Sequence, residues 1–115
     1  TFLEKQSSPR DSYFVWAYEI KIQNLGSAEV QLLNRKWSIT DADGRTQIVK
    51  GPGVVGEQPL IQPGGTFEYT SGTPLKTPSG LMVGVYEMAD SQGIEFDVNV
   101  PAFSLDSPHQ TVKLN

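Results

Sequence analysis

The sequence predicts an all-β protein, a sandwich of about seven to eight antiparallel strands. Apolar and polar residues alternate with a period of two over several long segments, turn signals recur at intervals of roughly ten residues, and no segment carries a helical period.

The first strong element runs from Tyr13 to Gln23. Phe14, Trp16, Tyr18, Ile20 and Ile22 share one face, and Glu19, Lys21 and Gln23 the other, as in a long half-buried strand. After a turn at Asn24 to Ser27 the period of two resumes from Val30 to Asp41, with Leu33, Arg35, Trp37 and Ile39 on one face and only Arg35 interrupting the apolar set. Asp41-Ala-Asp-Gly44 reads as a hairpin turn, because Gly supplies a positive φ and Asp hydrogen-bonds its local backbone. Arg45 to Lys50 is the returning strand. A Pro-rich loop leads to Gln62, and a short strand from Thr66 to Thr70 points Phe67 and Tyr69 inward. Ser71 to Gly80, rich in Pro, Gly and hydroxyl residues, is expected to be a connection. Leu81 to Asp90 alternates again, Asp90-Ser-Gln-Gly93 forms a second hairpin turn, and Ile94, Phe96, Val98 and Val100 make the apolar face of the last strong strand, which Pro101 is expected to stop. Phe103 and Leu105 then close the core, and residues 106–115 read as a C-terminal tail.

With 115 residues the chain suits one domain, its core over about residues 2–105. There is no Cys, so packing and hydrogen bonds must hold the fold without disulfides or thiolate metal sites, as suits a reducing compartment. No apolar run nears the roughly 20 residues that cross a bilayer, and Thr1 to Arg10 lacks the regions of a signal peptide, so the expectation is a soluble cytoplasmic protein with no membrane partner. The start at Thr1 without Met is expected to reflect trimming, processing or the omission of earlier residues, and a leader already removed stays open. A net charge of -4 argues against general nucleic-acid binding. Residues 1–57 carry seven basic and seven acidic side chains, so the excess of acid lies wholly in the second half. Arg35, Lys36, Arg45 and Lys50 face only Asp41 and Asp43 in their stretch, a small local surplus that leads into a Gly-rich loop and otherwise reads as solvated strand and turn positions.

That loop, Lys50-Gly-Pro-Gly-Val-Val-Gly-Glu-Gln-Pro59, spells G-x-G-x-x-G at Gly51, Gly53 and Gly56. In a dinucleotide site this pattern opens a helix whose N-terminus faces the pyrophosphate, but Pro59, Pro63, Gly64 and Gly65 forbid a regular helix here. A backbone nest at Gly51, Gly53 and Gly56, supported by Lys50 or Arg45, is a candidate site for pyrophosphate or a nucleotide; Pro52 removes one donor and Glu57 adds a like charge. The competing reading is a structural loop whose glycines permit close packing, with Val54 and Val55 as anchors. A third reading takes Val54, Val55, Leu60 and Ile61 as an apolar patch for a protein partner.

No catalytic residue is assigned. His109, the sole histidine, falls in the expected tail, and Glu95 and Asp97, about 7 Å apart on one strand face, read as solvated acids. Asp41 to Gly44 fails as a calcium loop because Ile39 and Lys50 would occupy the first and last ligand positions. Neither a metal site nor a cofactor is expected.

Several runs carry a family resemblance: Val30-Gln-Leu-Leu33 with Arg35 and Trp37, Ile39 to Gly44, Gly51 to Pro59, Pro63-Gly64, Phe67 to Gly72, Thr77 to Gly80, and Phe96-Asp-Val98 with Pro101 and Phe103. In order and spacing, over about residues 2–105, the chain resembles the ApaG family, also called CorD or the DUF525 domain. Relatives of that kind carry several more residues before the equivalent of Phe2. The resemblance implies an immunoglobulin-like or fibronectin type III sandwich. It also implies indirect links to cobalt resistance, magnesium efflux and diadenosine tetraphosphate metabolism, with no established reaction, and a protein-interaction role for the same domain in larger eukaryotic proteins. The expectation is a non-enzymatic binding domain whose partner is another protein, with pyrophosphate or nucleotide binding at Gly51 to Gly56 as the alternative. The oligomeric state is left open.

Overall fold

The structure is a computed structural model that describes residues 2–106 and 109–114, with the backbone alone at His109. Eight strands form a sandwich of two sheets. One sheet holds three strands in the order β5 (Thr66–Leu75), β1 (Phe14–Asn24), β8 (His109–Leu114). The other runs β3 (Thr46–Pro52), β2 (Val30–Asp41), β6 (Gly80–Asp90), β7 (Glu95–Ser104), with the two-residue β4 (Leu60–Ile61) also paired to β2. Two short 3₁₀ turns, Glu4–Gln6 and Pro9–Asp11, precede β1.

The alternating faces of β1 and β5 meet those of β2 and β6. Ile20, Ile22 and Tyr69 pack from one sheet against Leu32, Trp37, Ile39, Met82, Tyr86 and Met88 from the other. Trp37 lies at the centre, its ring edge-on to those of Tyr18, Tyr86 and Phe103 at centroid distances of 5.8, 6.0 and 6.0 Å, the arrangement that aromatic quadrupoles favour. Gly84 pairs with Trp37 across the ladder because only a residue without Cβ fits there: an added Cβ would stand 2.6 Å from the indole ring.

Four expectations are corrected. First, residues 109–114 are not a tail. His109–Leu114 is β8, parallel to β1 with Glu19 opposite His109 and Asn24 opposite Leu114, and Val112 and Leu114 are buried. This one parallel pair also departs from the antiparallel rule, since the chain changes sheets between β7 and β8. Second, Ser71 to Leu75 is no connection: β5 continues through it, paired with Phe14 to Tyr18, and buries Thr73 and Leu75. Third, Pro101 does not stop its strand. β7 passes through it with a bulge, the partners jumping from Met82↔Phe103 to Gly84↔Val100, so β7 absorbs an extra residue beside an edge position that needs no amide donor. Fourth, a bulge at Leu33 in β2 makes Val30 and Leu32 the inward residues before it and Trp37 and Ile39 those after it. Leu33 therefore does not share the core face.

Candidate binding loop

β3 carries the chain into the Gly-rich loop, and each glycine there has a local reason. Gly51 lies opposite Arg35 in the ladder, and a Cβ on it would come within 2.9 Å of the Arg35 guanidinium. That guanidinium donates from Nη1 to the carbonyls of Pro52 (3.1 Å) and Gly53 (3.0 Å), so the one charged residue in the inward series of β2 clamps the loop. Gly53 has φ +62°, and a Cβ on it would stand 2.1 Å from the Glu57 carbonyl oxygen. Gly56 has φ +80°.

Between Gly53 and Gln58 the chain reverses through a two-residue turn. The Val54 amide donates to the Glu57 carbonyl (2.8 Å) and the Glu57 amide returns to the Val54 carbonyl (2.9 Å), with Val55 (φ 45°) and Gly56 both left-handed. This is the primed hairpin geometry that usually selects Asn-Gly. Val55 is a β-branched residue in a conformation that costs an L-residue about 1–2 kcal/mol. Its side chain is 53% exposed, whereas that of Val54 is 1% exposed in the core. Leu60, on the return, is 60% exposed, and Ile61 is buried. The loop is pinned further. The Gly53 amide and the Gln58 side-chain amide both donate to the Leu33 carbonyl (2.8 and 2.9 Å), and the Leu32 amide donates to the Pro59 carbonyl (3.1 Å).

The candidate site residues thus divide. Lys50, Gly51, Gly53, Val54, Val55 and Gly56 come together at one end of the sandwich. Arg45 does not join them. It sits in the β2–β3 turn, where its amide donates to Asp41 Oδ1 (3.0 Å), six residues from Gly51 and so roughly 20 Å away along the strand. It lines a separate groove of about 320 Å³ with Ile39, Leu75 and Lys76. The nest also has fewer donors than its sequence implies. The amides of Gly53, Val54 and Glu57 are engaged within the protein, and among the described residues those of Val55 and Gly56 have no backbone partner. Of the two proposed anchors, Val54 fills the core and Val55 faces solvent.

What sequence reasoning missed is the surface next to the loop. A groove of about 550 Å³ opens on the outer face of the larger sheet, lined by Asn34, Lys36, Lys50, Pro52, Val85, Glu87 and Asp97 among others. The signal was present in the outward series of β2, β3 and β6, and only the strand register assembles it. Among the described residues no three of His, Cys, Asp and Glu cluster as a metal site would need, and the side chain of His109 lies outside the described residues. No described helix is long and apolar enough to cross a membrane.

A family model described as the ApaG domain (DUF525) matches residues 4–90. Protein ApaG of Paramagnetospirillum magneticum is 65% identical over 114 residues, 99% of this chain and 88% of that protein. Protein ApaG of Rhodospirillum centenum is 60% identical over 108 residues, 94% of this chain and 83% of its own. The crystal structure of a Bordetella pertussis protein designated ApaA superposes with a TM-score of 0.86 at 48% identity, covering 93% of this chain and 87% of that one. A second X-ray structure, of a structural-genomics target, gives a TM-score of 0.87 at 45% identity, with coverages of 94% and 82%.

Proposed function

The chain belongs to the ApaG domain family, and on that premise we propose that it works by binding another protein, with the loop from Gly51 to Ile61 as the recognition element. The observation that supports this reading is Val55. A turn selected for stability alone would place Asn or Gly at a left-handed position, yet here a β-branched apolar side chain occupies it and projects into solvent. Leu60 adds a second exposed apolar group, and the hydrogen bonds from Arg35 and Gln58 hold the loop in one conformation, which lowers the entropic cost of binding. The reading is non-enzymatic and cytoplasmic, and links to cobalt, magnesium or diadenosine tetraphosphate would run through the partner.

Affinity capture from cell extract tests it, with Val55→Asn and Leu60→Ser as the variants. Val55→Asn should raise stability by about 1 kcal/mol, because Asn tolerates the turn conformation, and should at the same time lower partner capture. Undiminished capture by the double variant would remove the loop from the interface.

A further inference from the structure

The register of the larger sheet brings together four charges that the sequence keeps apart. On its outer face Lys36 of β2 lies directly opposite Lys50 of β3, and Glu87 of β6 directly opposite Asp97 of β7. Like charges opposed across a ladder are unfavourable. All four side chains are exposed, and none makes an ion pair among the described residues. The rows are adjacent: Lys36 pairs with Val85, two residues from Glu87, so the cationic and anionic pairs lie one side-chain step apart, roughly 7 Å along the strands. On the other side of the lysines the same face exposes Ile48, opposite Ser38, and Val83, which pairs with that Ser38 from β6.

We propose that this face binds a second copy of the chain, forming a two-fold symmetric dimer. A two-fold axis between the copies, parallel to the strands and above the β2–β6 ladder, reverses the strand order and leaves the rows aligned. Lys50 and Lys36 on β3 and β2 of one copy then face the strands that carry Asp97 and Glu87 of the other, offset by the one step that a lysine side chain spans. The same operation brings Ile48 of each copy beside Val83 of its partner. The surface is complementary to itself in charge and in apolar contact, as an isologous interface requires. The opposite charges of the partner offset the repulsion within each like-charge pair there. Four strands by about four side-chain rows give a patch of roughly 19 by 27 Å, the scale of a modest interface, so association in the micromolar range is expected. This inference is independent of the loop reading.

Sedimentation velocity from low to several hundred micromolar protein is the test. The wild-type chain should pass from monomer to dimer, and Lys36→Glu/Lys50→Glu and Glu87→Lys/Asp97→Lys should each weaken dimerisation at least about tenfold, because each makes the face of a single sign. Mixed in equal amounts, these two variants should associate with each other, a result that misfolding of either one cannot produce. A wild-type chain that stays monomeric throughout, charge variants that dimerise undiminished, or a mixture that fails to associate would each overturn the proposal.

Discussion

The hydroxyl of Tyr69 and the hydroxyl of Tyr86 form a buried hydrogen bond of 2.5 Å that joins β5 of one sheet to β6 of the other. Both rings lie in the core, so each phenol has the other in place of water. Tyr69→Phe alone leaves the Tyr86 hydroxyl buried without its partner, at about 1–3 kcal/mol, and Tyr86→Phe does the reverse. The double Phe variant removes both polar groups and should lose less than the sum of the singles. Burial raises the pKa of both phenols, and the neighbouring Tyr86 raises that of Tyr69 further. Folding thus favours the protonated forms. Stability should be level below about pH 10, where unfolded tyrosine begins to ionise, and fall above it by up to about 1.4 kcal/mol per pH unit for each buried phenol. Urea unfolding across this range, for the wild-type chain and the three variants, measures both effects. Additive single losses, or the same alkaline slope in the double variant, would contradict the linkage.

Residues 106–115 supply the second prediction. Val112 and Leu114 are buried, and the Leu114 carbonyl accepts from the Leu25 amide at 2.6 Å, so β8 is part of the smaller sheet's support. Burying two aliphatic side chains is worth about 3–6 kcal/mol, a large share of the 5–15 kcal/mol of a typical domain. A chain ending at Leu105 should show a correspondingly lower urea midpoint, and so should the full chain with Val112→Asp. Equal midpoints would mean that β8 contributes no stability.

The contrast between β1 and β8 explains what the sequence could disclose. β1 alternates over eleven residues, so periodicity alone identifies it and the buried Tyr18, Ile20 and Ile22, although Val15 of the other series is buried as well and Phe14 and Trp16 are half-buried. β8 has six residues with two buried aliphatics, too short a pattern to stand out. The bulge at Leu33 was equally hidden, because the switch of inward parity from Val30 and Leu32 to Trp37 and Ile39 falls on Leu33 to Lys36, where Leu33 is the one apolar residue and fits the later series. The Gly-rich loop was legible as a loop needing positive φ. That Arg35 would occupy the space beside Gly51, and that Lys36 would oppose Lys50, depends on register, and register is a property of two strands at once.

The last prediction concerns anions at the loop. Of the groups that a phosphate nest would use, the amides of Gly53, Val54 and Glu57 already donate internally, Pro52 has none, and Arg35 is engaged with the Pro52 and Gly53 carbonyls. The two remaining amides of the turn, at Val55 and Gly56, make a weak site, and Lys36 and Lys50 line a groove with Gly51 and Pro52 at the base of the loop. Millimolar pyrophosphate, ATP or diadenosine tetraphosphate at low salt should therefore leave the melting temperature unchanged, whereas a ligand at 100 times its dissociation constant would stabilise the fold by about 2.7 kcal/mol. Gly53→Val cannot serve as the control, since its Cβ would collide with the Glu57 carbonyl whether or not a ligand binds. Lys50→Gln is the informative variant because its side chain is exposed and makes no hydrogen bond or ion pair among the described residues. A rise in melting temperature that Lys50→Gln abolishes would restore the nucleotide reading and locate the anion where the loop meets the outer sheet face.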